Sequence, residues 1–160
     1  MWNLHQKVIL GLSEQPEIDR SEILKLTNML VSERGRDLDY RARAVFELEH
    51  FGKDCSRAAE LISKIKDMSA NADNFLVSGF VNNRCKNFAK SAESFRQALL
   101  LEPLDQGYQV TRLYTAILYT LNRYDELKLL IEPKLPDPEL GGMTFWFYAG
   151  VLAEEGNLQK

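Results

Sequence analysis

The chain has 160 residues, of which 45% are hydrophobic and 27% charged, with a formal net charge of −3 and a pI near 5.5. That length suits one domain with a real core, and the mild acidity supplies no field that favours nucleic acid or an anionic membrane, so we expect neither as a partner. Two cysteines, Cys55 and Cys85, are too few for a disulfide framework, and a reducing compartment fits best.

Apolar residues recur mostly at intervals of three and four, and no segment alternates over strand length, so the pattern predicts an all-α protein. The first two helices are expected from Trp2 to Leu12 and from Ile23 to Val31, the second closed by Gly35. Asp39 can cap a third helix that runs through Phe51, and a fourth follows Asp54, because a side-chain oxygen there satisfies free backbone N–H groups.

The second half of the chain continues as helix-sized segments. Their expected bounds are about 72–84, 88–101, 107–121, 124–132 and 143–155. The one long break is IEPKLPDPELGG, whose three prolines remove backbone donors and restrict the residues before them. No low-complexity linker divides the chain, so we expect a single domain over residues 1–160.

A repeat runs through these helices. The turn between paired helices falls at Cys55, Phe88, Tyr124 and Leu158, at separations of 33, 36 and 34 residues. Between residues 75 and 103 small residues alternate with large ones, so that small side chains let paired helices approach while aromatic rings fill the space around them. The residues of this pattern are Phe75, Gly79, Phe88, Ser91, Phe95, Ala98 and Pro103.

The spacing and residue pattern resemble the tetratricopeptide repeat, a helix-turn-helix unit of about 34 residues. The resemblance implies a right-handed α-solenoid of tandem helix pairs. Its units would be a degenerate pair at 1–35, repeats at 39–70, 72–105 and 108–138, and an incomplete repeat at 142–160.

Signatures of catalysis are missing from the sequence. His5 and His50 lack metal-ligand spacing, and there is no P-loop, GxSxG, HExxH or glycine-rich dinucleotide motif. We therefore expect no catalytic residue, no metal, no cofactor and no enzymatic activity. The densest basic cluster, Arg34 to Arg43, is interleaved with acidic residues, and local neutralisation is expected there.

The resemblance implies protein recognition, because first helices of such repeats line a groove that holds a segment of another protein. The partner-binding residues carried over from it are Leu76, Phe80, Asn83, Arg112, Ala116, Tyr119, Trp146 and Gly150. These residues mix apolar anchors with one strong donor, which suits a partner bearing apolar side chains, with Arg112 available for a carboxylate or carbonyl.

The leading interpretation is a protein-interaction scaffold or adaptor. Two alternatives stay open: a small secretion chaperone that holds a client, and the docking domain of a larger enzyme. The amino terminus, MWNLHQKVILGL, has no basic segment leading into a continuous apolar run, and no span reaches about 18 apolar residues, so we expect a cytoplasmic protein.

The last helix is unusually apolar. MTFWFYAGVLA, residues 143–153, contains nine hydrophobic residues in eleven and no charge, a composition typical of a helix with two buried faces. We expect that the chain is a fragment of a longer repeat protein or that Trp146 and its neighbours lie at a subunit or partner interface.

Overall fold

A computed structural model describes residues 36–50, 54–102, 105 and 108–156, together with five isolated helical positions between 21 and 32. The described residues contain helices and no β-strand, which confirms the all-α class. They belong to two compact units, Met1–Met68 and Ser69–Lys160, which we treat separately. The helices predicted at 2–12 and 23–31 lie outside the continuously described residues.

The first unit contains helix α1, Asp37–His50, and helix α2, Cys55–Ser63, which pack against each other. The predicted cap at Asp54 is confirmed, since its carboxylate accepts a hydrogen bond from the backbone N–H of Arg57 at 2.9 Å. The carboxylate of Asp37 in turn accepts the backbone N–H of Lys66 at 3.1 Å. One side chain therefore joins the start of α1 to the segment that follows α2.

Local neutralisation holds for two members of the basic cluster. The buried guanidinium of Arg43 donates two hydrogen bonds, of 3.2 and 3.1 Å, to the carboxylate of Glu47 one turn later. Burial lowers the pKa of Arg43 and the charge of Glu47 opposes that shift. Arg36 pairs with Asp39, at 3.5 Å.

The second unit contains helices α3 to α7. The structure places them at Ala72–Arg84, Phe88–Leu101, Gln109–Thr120, Tyr124–Ile131 and Gly142–Glu154. Short 3-10 turns cover Met68–Ala70 before α3, and Glu132–Lys134 and Pro138–Leu140 between α6 and α7. Each helix packs against the next, and α5 also packs against α7. The shared core contains Ala92, Phe95, Tyr114, Ile117, Leu118, Leu127, Ile131, Leu140 and Val151.

Left-handed backbone ends three of these helices. Lys86 after α3 has φ 61°, Asn122 after α5 has φ 55°, and Gly156 after α7 has φ 72°. The first two lie 36 residues apart and the last two 34, the intervals expected for the turns of the repeat. The predicted helix starts at Phe88 and Tyr124 directly follow the first two of these turns.

The hydrogen bonds of these turns also recur. The backbone N–H of Lys86 donates to the carbonyl of Asn83 at 2.9 Å, and that of Asn87 to Asn82 at 2.8 Å, which is the Schellman arrangement of a helix C-terminus. The second turn repeats both bonds, from Asn122 to Tyr119 at 3.0 Å and from Arg123 to Leu118 at 2.9 Å. The third turn has the shorter-range bond, from the backbone N–H of Gly156 to the carbonyl of Ala153 at 3.0 Å.

Helices α3 and α4 meet at a glycine. A Cβ placed on Gly79 would lie 2.5 Å from Cε1 of Phe95, whose ring is fully buried. The hydroxyl of Ser91, also buried, donates to the carbonyl of Gly79 at 2.8 Å. The expectation that small residues permit a close approach filled by an aromatic ring is confirmed at this contact.

The cysteines differ from expectation. Neither Cys55 nor Cys85 is a free thiol in the structure. The expectation of reduced cysteines is therefore wrong, and cysteine usage no longer argues for a reducing compartment.

The turn geometry predicts opposite effects of glycine at two exposed lysines. Lys86→Gly should raise the free energy of unfolding by ~0.5–1 kcal/mol, because a side chain in left-handed backbone costs ~1–2 kcal/mol, partly offset by the entropy that glycine loses on folding. Lys90→Gly, inside α4, should lower the free energy of unfolding by ~1 kcal/mol, because glycine disfavours a helix interior. Urea unfolding of both variants measures the difference, and a Lys86→Gly variant as destabilised as Lys90→Gly would contradict the left-handed turn.

The contact at Gly79 predicts a coupled pair of substitutions. Gly79→Ala should destabilise the protein by ~1–3 kcal/mol, because the added methyl group overlaps the ring of Phe95 in a packed core. In a Phe95→Leu background the same change should cost less, since leucine has fewer atoms at the contact and can rotate away. Equal costs in the two backgrounds would show that the two residues do not touch.

Candidate functional site

Helix α7 exposes two large apolar side chains, and three others among the described residues of the second unit lie elsewhere, Leu100 and Leu101 on α4 and Leu129 on α6. Met143 is 71% exposed and Trp146 is 65% exposed. Ala149 and Ala153 are also exposed and lie on the same helix face, because residues three, four and seven apart share a face. We call these four residues the α7 stripe.

Trp146 rests on other aromatic rings. The aromatic cluster consists of Tyr119, Tyr124, Trp146 and Phe147. The centroid of the Tyr119 ring lies 5.9 Å from Tyr124, 6.1 Å from Trp146 and 5.2 Å from Phe147, and Trp146 meets Phe147 edge-on at 5.2 Å. These separations lie in the favourable range for aromatic pairs, so the cluster orients Trp146 while leaving most of its surface open.

A glycine makes room for the central ring of the cluster. A Cβ on Gly150 would lie 3.1 Å from both Cε2 and the hydroxyl oxygen of Tyr119. Gly150 therefore belongs to the packing of the cluster, and Tyr119 connects α5 to α7 through it.

Hydrogen bonds secure the end of α7. The carboxylate of Glu154 accepts hydrogen bonds from the hydroxyls of Tyr124, at 2.5 Å, and of Tyr119, at 3.3 Å. The ammonium of Lys128 donates to Glu155 at 2.7 Å. The hydrogen bond to Glu154 raises the pKa of Tyr124 to about 12, while burial is the main reason that the pKa of Tyr119 is raised.

Arg112 binds backbone carbonyls within this chain. Its guanidinium donates to the backbone carbonyls of Leu140, at 3.0 Å, and of Glu139, both in the 3-10 turn that precedes α7. The hydroxyl of Thr144 donates to the same Leu140 carbonyl. The carbonyl that Arg112 binds therefore belongs to this chain, and the arginine fixes the position from which α7 begins.

The predicted binding residues separate into two groups. Arg112, Ala116 and Tyr119 lie along one face of α5, and Tyr119 contacts both Trp146 and Gly150 of α7.

The other three predicted residues, Leu76, Phe80 and Asn83, lie along one half-buried face of α3. The ring of Phe80 lies 5.2 Å below the guanidinium carbon of Arg84. Leu76 borders a cleft of about 170 Å³. The remaining residues of that cleft are Ala72, Asp73, Ala98, Glu102, Asp105, Gln109 and Val110.

The sequence interpretation missed Met143, Tyr124 and Glu154 as members of the surface. Met143 could have been selected from the sequence, because it lies about one helical turn before Trp146 in a segment without charge. Tyr124 and Glu154 are 30 residues apart, and no local pattern joins them.

Two features are absent from the residues that the structure describes. No three histidine, cysteine, aspartate or glutamate side chains there are placed to hold a metal ion. Nor do the described helices include one long and apolar enough to cross a membrane. Comparison of the chain with models of known protein families, with curated proteins and with solved structures finds no match.

The contact between Tyr124 and Glu154 predicts a late tyrosine ionisation. The folded protein keeps the Tyr124 proton to about pH 12, whereas an unfolded tyrosine loses it near pH 10, so this contact stabilises the fold below pH 10 and that stabilisation is lost as the pH rises towards 12. Alkaline absorbance titrations of the native protein and of Tyr124→Phe give a difference curve that isolates this residue. Its midpoint should lie near pH 12, and in a Glu154→Ala background it should move towards 10; a midpoint near 10 without that substitution would contradict the contact.

Proposed function

We propose that the second unit is a stack of tetratricopeptide-like helix pairs that acts as a non-catalytic scaffold or adaptor and binds a segment of another protein. The recurring left-handed turns at Lys86, Asn122 and Gly156 support the repeat, because turns with the same backbone bonds return at the repeat interval. The close contact of Gly79 with Phe95 supports it further, since small and aromatic residues meet there as the repeat pattern requires.

Binding is supported chiefly by one observation, the exposure of Trp146 on a well-packed aromatic cluster. An aromatic side chain buries about 150–250 Å² when covered, so covering the exposed part of Trp146 would contribute about 3 kcal/mol before the costs of association. Tryptophan is also enriched among the residues that dominate binding energies at protein interfaces. The cluster keeps this ring oriented before any partner arrives, which reduces the ordering cost of binding.

The chemistry of the surface selects an apolar partner segment. From Gly142 to Ala153 the chain carries no charge, so a charged segment would lose hydration there without gaining a partner. The α3 residues Leu76, Phe80 and Asn83 extend the proposed surface along a second helix. Arg112 contributes as a positioning residue, because its carbonyl contacts set the turn that leads into α7.

Photo-crosslinking tests this proposal. A benzophenone amino acid at position 143, beside Trp146, should form adducts with a distinct protein in an extract of the source cells. The same probe at position 129 serves as the matched control, because Leu129 is 76% exposed on α6 and lies outside the cluster. An excess of the unlabelled native protein should suppress the adduct. About 30-fold more of the unlabelled Trp146→Ala protein should be needed for the same suppression, which corresponds to a loss of ~2 kcal/mol in binding free energy. Equal adducts at both positions, or none at 143, would contradict the proposal.

A further inference from the structure

We infer that the partner segment carries an arginine that binds Glu154 while its apolar residues cover the α7 stripe. This partner chemistry rests on the proposed function and makes it more specific, since it names the class of segment: apolar residues followed or preceded by one cation. The position, the contacts and the charged surroundings of Glu154 each support it.

Glu154 lies on the same helix face as Trp146. Trp146, Gly150 and Glu154 follow one another at intervals of four residues, and residues four and eight apart share a face of a helix. A rise of ~1.5 Å per residue sets Trp146 and Glu154 about 12 Å apart along the helix axis. Tyr119 lies against both, because its ring contacts that of Trp146 and its hydroxyl donates to Glu154 at 3.3 Å. One partner segment can therefore reach the tryptophan and the carboxylate together.

The carboxylate of Glu154 can accept further hydrogen bonds. One of its oxygens accepts the hydroxyl of Tyr119 and the other accepts the hydroxyl of Tyr124. A carboxylate has about four acceptor positions, two on each oxygen, so one position on each oxygen remains. Glu154 is exposed, which leaves these positions accessible to a partner. Two parallel N–H groups of a guanidinium match such a pair of oxygens.

The charges around Glu154 favour a cation as its partner. Residues 123–132 and 142–155, which include helices α6 and α7, carry five carboxylates and two cations. Both cations are already paired, Arg123 with Glu126, and Lys128 with Asp125 and Glu155. Among the described residues, by contrast, the hydrogen-bond donors to Glu154 are two neutral hydroxyls. The negative end of the α7 dipole adds to the attraction for a cation there.

Two other carboxylates near α7 suit the partner segment less well. Glu132 accepts the hydroxyl of Tyr148, which lies two residues from Trp146 and so on a different face of the helix. Glu139 lies before the other end of α7, where its backbone carbonyl binds the guanidinium of Arg112, and that guanidinium would repel a second cation. Of these three carboxylates, Glu154 alone combines the face of Trp146 with a net negative environment.

Arginine suits this position better than lysine. Its planar guanidinium donates in pairs to a carboxylate, is less strongly hydrated than an ammonium and stacks on aromatic rings. The rings of Tyr119 and Tyr124, 5.9 Å apart, supply aromatic surface beside the carboxylate. Because an extended chain advances ~3.3 Å per residue, the arginine would lie about three or four residues from the apolar residue that covers Trp146.

Selection from a random peptide library displayed on phage tests this chemistry without a known natural partner. The immobilised 160-residue chain should enrich peptides that carry an apolar residue and, about three or four positions away, an arginine. Selection on Glu154→Gln should keep the apolar residue and lose the arginine. Selection on Glu93→Gln, which removes the same charge from an exposed carboxylate on α4, should keep both. A native chain that shows no preference for arginine, or a preference that survives Glu154→Gln, would overturn the inference.

Fluorescence of Trp146 in a Trp2→Phe background measures the contact itself. Replacing the arginine of a selected peptide with citrulline, a neutral residue of similar shape, should weaken its binding about tenfold. Glu154→Gln should weaken the arginine peptide by a similar factor and bind both peptides equally, because the two changes remove one contact. Circular dichroism confirms that each variant is folded. If citrulline weakens binding as much on Glu154→Gln as on the native chain, Glu154 does not bind the arginine and the inference is wrong.

Failure of this inference can be told from failure of the proposed function. Enriched peptides that are apolar and lack a basic residue, and that lose binding in Trp146→Ala, keep the binding surface and exclude the cation. No enriched peptide, together with no adduct at position 143, excludes both.

Discussion

The second unit depends on the chain reversing direction through left-handed backbone at the ends of its helices. Of the three residues that do so, Lys86 carries a side chain that disfavours this conformation by ~1–2 kcal/mol, whereas the asparagine at Asn122 is a residue type that tolerates it. The conformation persists because two backbone hydrogen bonds close each turn and because the next helix then packs against the one that has just ended. The third residue is Gly156, where no such penalty applies. The same local geometry thus recurs on different residue types.

These reversals set the positions of the surfaces on α7. On one face Thr144 and Val151 are buried, with Val151 in the core shared with α5 and α6. On another face Met143 and Trp146 stay exposed, although the composition of the helix is that of one covered on both sides. Arg112 holds the turn before the helix, and Glu154 and Glu155 hold its end. The apolar stripe is therefore fixed at both ends before anything covers it.

Much of the helical architecture could be predicted from the sequence, because its causes are local. The intervals of apolar residues predicted α3 and α4 to the residue, and the small residues predicted the approach of Gly79 to Phe95. The start of α5 was misplaced by two residues. Tyr108 adopts left-handed backbone there, and the carboxylate of Asp105 accepts the N–H groups of Val110 and Thr111.

The candidate site was less predictable, because its contacts join distant parts of the chain. Arg112 matched the pattern of an exposed donor, yet its partners lie 27 and 28 residues away in a turn whose path the sequence does not reveal. Trp146 could be selected from its uncharged surroundings. The ring of Tyr119 beneath it requires a glycine on a different helix, and only the folded structure brings the two together.

Native-state hydrogen exchange at Asn87 and Arg123 tests the repeated turn most directly. Both residues are exposed at the start of a helix, where a backbone N–H commonly lacks a partner, yet here each donates to the carbonyl of the residue five positions earlier. The account predicts that both amides exchange about as slowly as those in the middle of α3 and α5. If the amides of Asn87 and Arg123 exchange as fast as in an unfolded chain while the helices stay protected, the repeated turn is contradicted.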